Sequence, residues 1–277
     1  MSGARPVAPW TPRHEVGAVM TADGVELHFR SEGEGELPPL LLIAGLADDC
    51  DSWGPVAPAL AEGRQVVVFD NRGIGRSSSP PGPYTIAAMA ADAGALIDRL
   101  EPGPVDVLGS SMGGAIAMTL AARRPHAVRR LVLANTWLVR EPFLDLVFEH
   151  WERLAREGHG GLLLEASALL AFSPGFLRAN EKRVGELIGT EPPPLAGYAA
   201  AAHACRHHDA SSIVGGIEQP VLVLGGAQDA LMRPWQSERL AEALPKSRLE
   251  WLDTGHMTFW EQPARFVALV RGFLEQP

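Results

Sequence analysis

A chain of 277 residues can bury one large α/β core or two small ones. It carries 24 Lys and Arg against 33 Asp and Glu, a formal net charge of −9, with 46% hydrophobic residues. That balance suits an ordinary globular domain. Without a Lys/Arg run, it argues against nucleic acid or an anionic membrane surface as partners. Cys50 and Cys205 make no disulfide framework, and neither sits in a metal-binding spacing, so no metal and no cofactor is expected. The apolar runs are too short to span a bilayer, and the Pro-rich start lacks the apolar segment of a signal peptide; the expected location is cytoplasmic.

Residues 1–13 read as a loosely packed arm. Residues 16–21 and 25–31 alternate around Ala22-Asp23-Gly24 and predict an antiparallel hairpin. Residues 40–44 are apolar throughout, the signature of a strand buried on both faces, and lead into the loop that starts Gly45-Leu46. A helix is predicted over 53–61, a buried strand over 65–69, a turn-rich loop over 70–77 and a helix over 86–100. Further buried strands are predicted over 105–108, 130–134, 219–224 and 248–252, with helices over 114–124, 235–244 and 263–274. No strand is predicted between 137 and 216. That stretch reads as helices over 142–157, 161–172, 176–188 and 195–209, broken by Gly and Pro. The βα alternation implies a mostly parallel sheet covered on both faces. The helical stretch reads as a lid over the C-terminal edge of that sheet, which divides the chain into core (1–136), lid (137–216) and core (217–277).

Gly109-Ser110-Ser111-Met112-Gly113 lies between a predicted strand and a predicted helix. A G-x-S-x-G in that setting is a nucleophile elbow, a turn so tight that its flanking residues can have almost no side chain. Ser111 is then the exposed hydroxyl. The Met112 N–H, at a helix N-terminus, points where an oxyanion would form. A serine needs a base, and the base an orienting carboxylate. Asp229 follows the predicted strand over 219–224 and His256 follows the one over 248–252, so the order Ser111, Asp229, His256 is the one this fold requires. Asp253, in the same loop as His256, reads as a turn residue, and Asn135 carries no charge. The second oxyanion donor is assigned to the Leu46 N–H, with Gly45 permitting close backbone approach. Trp53, Trp137, Phe143, Leu231 and Met257 are the candidate substrate-binding side chains, together an apolar set. His203, His207 and His208 lack carboxylates or cysteines at ligand spacing and read as a solvated or pocket-rim face.

The segments at 40–53, DNRGIGRS at 70–77, GPYTI at 82–86, GSSMGG at 109–114, GAQD at 226–229 and GHMTFWEQP at 255–263 together resemble the α/β-hydrolase fold superfamily. The resemblance implies an eight-stranded, mostly parallel sheet with a helical cap after the sixth strand, and a Ser-Asp-His triad. GPYTI and GSSMGG are similar to the enol-lactonase and small-esterase branch. Serine at 111, rather than aspartate, separates the chain from epoxide hydrolases and haloalkane dehalogenases. The family's usual His-Gly before the oxyanion residue is Ala44-Gly45 here, a histidine that lactonase-type members also lack. The expected activity is hydrolysis of a small to medium apolar ester or lactone through an acyl-enzyme. The alternatives are a thioesterase, a C–C bond hydrolase, a cofactor-free oxygenase or peroxidase, and a ligand receptor with a retained triad.

Overall fold

The computed structural model describes residues 15–99 and 103–276. The predicted arm over 1–13 and the last residue of the predicted helix over 86–100 lie outside the described residues. Strands β1 (Glu15–Met20) and β2 (Glu26–Glu32) form the predicted antiparallel hairpin. Its turn is closed by Thr21, whose hydroxyl accepts the Val25 N–H at 3.0 Å and donates to Asp23 at 2.6 Å. Strands β3 (Leu40–Ile43), β4 (Val66–Phe69), β5 (Val105–Ser110), β6 (Val128–Ala134), β7 (Val221–Gly226) and β8 (Ser247–Leu252) complete an 8-stranded sheet of order β1-β2-β4-β3-β5-β6-β7-β8. Strand β2 runs antiparallel to β1 and β4, and all other pairs are parallel. The chain has the α/β-hydrolase architecture that the motifs implied.

In chain order the helices are α1 (Ala57–Leu60), α2 (Ile86–Ile97) and α3 (Met112–Arg123), then, between β6 and β7, α4 (Pro142–Arg156), α5 (Gly160–Ala171), α6 (Pro174–Ala179), α7 (Glu181–Ile188) and α8 (Leu195–Arg206), and finally α9 (Pro234–Ala243), α10 (Thr258–Glu261) and α11 (Pro263–Leu274). The two faces of the sheet follow from the period of two along each strand. Leu41, Ile43, Val67, Val107 and Leu131 pack beneath Met89 of α2 and Ile116 of α3. Their alternate neighbours Leu40, Leu42, Val66, Leu108 and Val132 pack beneath Leu60 of α1 and Phe266 and Val270 of α11. With both faces buried, the central strands have no polar side, which is why the sequence shows apolar runs there.

Local differences from the predicted elements have local causes. The predicted helix over 53–61 is a 3-10 turn at Cys50–Trp53 followed by the short α1. The Asp49 carboxylate caps the Asp51 N–H and starts the turn early, and Gly54-Pro55 interrupts it. The predicted helix over 176–188 breaks at Asn180 into α6 and α7, α6 being capped by the Ser173 hydroxyl on the Phe176 N–H. Helix α10 is too short for periodicity to reveal.

Candidate active site

The site is assembled where the parallel strands end. Among the described residues, the non-glycine residues with positive φ are Ala47 (73°), Ser111 (54°) and Asn135 (49°), which follow β3, β5 and β6. Backbone strain is thus confined to the C-terminal edge of the sheet. At the elbow, a Cβ on Gly109 would meet the Gly113 carbonyl oxygen at 2.2 Å, and one on Gly113 would meet the Ile43 oxygen at 2.0 Å. Only glycine fits either place, so the turn can close and push Ser111 forward. The Ser111 N–H donates to the Ala134 carbonyl at 2.9 Å, and the Thr136 hydroxyl donates to the Ser111 carbonyl at 2.8 Å. Met112 is the first residue of α3, where an N–H has no acceptor within the helix.

His256 and Asp229 meet as the chain order requires. The Nδ1 of His256 lies 2.8 Å from Asp229 Oδ2, with both side chains almost fully buried. Asp229 Oδ1 accepts the N–H groups of Leu231 (2.9 Å) and Met232 (2.8 Å), which lock the carboxylate in one orientation. Asn135, set aside in the sequence for want of charge, donates from Nδ2 to Asp229 Oδ2 at 2.9 Å, while its Oδ1 accepts the Thr258 hydroxyl at 2.9 Å. Its position after a strand was the available signal; its partner was not. Asp253 is exposed and accepts Gln228 Nε2 at 2.7 Å, away from the imidazole.

The loop after β3 is held from several sides. Asn71 Nδ2 donates to the Ala44 carbonyl (3.1 Å), Asp70 Oδ1 accepts the Cys50 N–H (2.7 Å), and Trp260 Nε1 donates to the Ser52 carbonyl (3.0 Å). These contacts brace a loop that lacks the family's histidine. Gly45 brings it close to the nucleophile: a Cβ there would lie 3.4 Å from Ser111 Cβ. Leu46, Ser111 and His256 line one cavity of about 820 Å³, which opens between the sheet edge and the helices inserted after β6.

The family described as alpha/beta hydrolase fold matches residues 38–263. The chain belongs to it. This hydrolase is 29% identical to the 3-oxoadipate enol-lactonase 2 of Acinetobacter baylyi, over 93% of its own length and 96% of that protein. It is 29% identical to the putative carbamate hydrolase RutD of Azorhizobium caulinodans, over 84% and 89% respectively. The crystal structure of the enol-lactonase from Burkholderia xenovorans LB400 superposes with a TM-score of 0.87 at 30% identity, covering 95% of this chain and 100% of that one.

Of the five side chains predicted to bind substrate, the hydrolase places Leu231 and Met257 on the cavity wall. The other three are elsewhere. Trp53 is fully buried and stacks on Phe259, centroids 4.5 Å apart, in the core beneath α1 and α11. Trp137 packs against Phe148 at 5.7 Å, and Phe143 lies under the Arg233 guanidinium at 4.5 Å. An apolar residue beside a motif is more often core than pocket. The aromatic wall comes instead from Phe148, Trp151, Phe172, Tyr198 and Trp260. Most of these lie in the inserted helices, where nothing in the sequence tells a residue facing the cavity from one facing the core.

The histidine cluster belongs to the inserted helices. The His203 and His207 rings stack at 4.1 Å, and His203 Nδ1 faces Glu152 at 3.5 Å. His208 packs edge-on to Trp137 at 5.9 Å, and burial pushes its pKa down to about 4. None of the three lines the cavity. One group of metal-ligand types, His28, Cys50 and Asp70, has its ligand atoms within 4.8 Å of one another. Asp70, however, already accepts N–H groups from Cys50 and Arg76 and the Arg76 guanidinium (3.1 Å), and burial pushes the Cys50 thiol up. A saturated carboxylate beside a guanidinium fits a tie between loops better than a cation site. Among the described residues, no helix is long and apolar enough to cross a membrane.

Proposed function

We propose that this enzyme cleaves a small or medium apolar ester or lactone, with Ser111 as nucleophile, His256 as general base and Asp229 as its orienting carboxylate. The observation that carries the reading is the 2.8 Å contact between His256 Nδ1 and Asp229, made beside the cavity that Ser111 also lines. A carboxylate on Nδ1 fixes the tautomer that leaves Nε2 free to accept the Ser111 proton, and stabilises the imidazolium that results. Ser111 Oγ attacks the carbonyl, and the Leu46 and Met112 N–H groups stabilise the oxyanion. His256 then returns its proton to the leaving oxygen. Water, deprotonated by the same imidazole, releases the acid from the acyl-enzyme.

The aromatic wall suits an apolar acyl chain or ring. The relatives named above are an enol-lactonase and a putative carbamate hydrolase, so kinship leaves the choice of carbonyl open, and the apolar wall favours ester or lactone. A fluorophosphonate probe tests the assignment. It is expected to attach to Ser111 alone and to leave a Ser111→Ala variant unlabelled; a label on any other serine overturns the reading. A panel of lactones against linear esters then separates the two substrate types.

A further inference from the structure

The charged side chains that line the cavity are all acidic. Asp48, Asp49, Asp51 and Glu191 contribute to its wall, and among the described residues no Lys or Arg does. Three of these acids have other work or sit in water. Asp51 faces Arg30 at 2.6 Å and Arg76 at 3.6 Å. Asp49 accepts the Asp51 N–H at 2.8 Å and so starts the turn after β3. Glu191 lines the cavity but is exposed to solvent.

Asp48 is different. It is half-buried in the oxyanion loop, and its Oδ2 lies 2.9 Å from the place a Cβ of Gly45 would take. That same place is 3.4 Å from Ser111 Cβ. The carboxyl and the nucleophile therefore flank one glycine. The titratable groups acting on Asp48 are His256 from the loop after β8, Asp49 from its own loop, and Tyr198 from α8. Phe148, Trp151 and Tyr198 bring aromatic rings to the same cavity, and aromatic faces attract cations.

Resting on Ser111 as nucleophile, we infer that Asp48 sets substrate specificity: it receives a protonated amine carried, near the scissile carbonyl, on an otherwise apolar ester or lactone, and it turns anionic substrates away. A carboxyl beside an oxyanion site hinders catalysis while it is charged and unpaired, because it repels the developing negative charge. A substrate ammonium removes that conflict by supplying the counter-charge. The state of the carboxyl fits this role. Removal from bulk water pushes Asp48 up to about 7, against the pull of the His256 imidazole and the Gly45 N–H. It is neutral well below that pH and anionic well above it, so the preference for a cation grows as pH rises through about 7.

The test uses three nitrophenyl esters of matched shape, whose acyl chains end in trimethylammonium, tert-butyl or carboxylate. The ammonium charge is permanent, and ionisation of His256 scales all three alike, so it cancels in the ratios. The wild-type enzyme is expected to favour the trimethylammonium ester over its tert-butyl isostere by on the order of tenfold in kcat/KM, to disfavour the carboxylate ester, and to widen both ratios between pH 6 and 8. Asp48→Asn should bring both ratios near unity and flatten them with pH, whereas Glu191→Gln should shift them less. Wild-type ratios near unity at every pH overturn the inference and leave the Ser111 reading standing, since the tert-butyl ester is still cleaved. Turnover of none of the three overturns both. If Asp48→Asn takes no fluorophosphonate label, the wild-type pH series decides alone.

Discussion

At its start, β5 carries Asp106, fully buried between Arg64 at 2.9 Å and Arg129 at 2.6 Å, with a second Arg129 contact at 2.8 Å. At its other end the strand turns through Ser111 at φ 54° and ψ −118°, wedged between two glycines that admit no Cβ. One end of the strand satisfies a buried charge completely. The other holds a strained backbone and sends a hydroxyl into a cavity. In this protein, stability and chemistry are separated along a single strand, at positions 106 and 111.

That separation can be attacked from both ends. The largest effect is expected from Ser111→Ala, which should lower kcat/KM on a nitrophenyl ester by about 10⁵-fold or more while the thermal melt stays where it was. Asp229→Asn should cost about 10⁴-fold, because an amide no longer holds the required His256 tautomer. Its circular dichroism spectrum should be unchanged. At the other end, Asp106→Asn should remove about 3–5 kcal/mol of stability in urea denaturation, because it leaves the buried Arg64 with only the more distant Glu275, at 4.0 Å, as counter-ion. The folded fraction should turn over as before; a comparable loss in kcat/KM would show that the two ends are coupled. Asn135→Gly keeps a backbone free to sit at positive φ but removes the donor to Asp229. It should lower kcat/KM by about 10- to 100-fold with little change in KM. The smallest effect is expected at Glu261, which joins the inserted helices to the histidine loop by accepting the Ser173 N–H (2.9 Å), the Ser173 hydroxyl (2.6 Å) and the Gly255 N–H (3.0 Å). Glu261→Gln should weaken that tie by about 1 kcal/mol and show as a rise in KM of a few-fold.

The motifs legible in the sequence were the ones whose chemistry is local. G-x-S-x-G demands its glycines within five residues, because the clash that excludes a side chain is with the turn itself and the strand beside it. Strand identity was legible because burial on two faces leaves few polar positions, Asp106 among them, to confuse the pattern. Asp229 was preferred to Asp253 because it follows an earlier strand, whereas Asp253 shares the loop of His256 and reads as a turn residue, and the structure brings Asp229 to the imidazole. Asn135 and Glu261 were not legible as site residues. Their partners lie 94 and 88 positions away, and neither residue type announces such a role. Trp53 and Trp137 misled for a related reason: nearness in sequence to a motif says nothing about whether a side chain reaches the cavity or stays in the core.

From the amino-acid order alone came the alternation of strands and helices, the elbow and the order of the three polar residues, since each depends on spacing within an element or on the sequence of elements. Only the folded chain decided which carboxylate meets His256, which aromatics wall the cavity, and that Asp48 stands beside Ser111 without the arginines that neutralise Asp51. Those are distances between segments remote in sequence. They are set by how far each strand end projects beyond the sheet and by how the inserted helices settle on that edge, and residue spacing encodes neither.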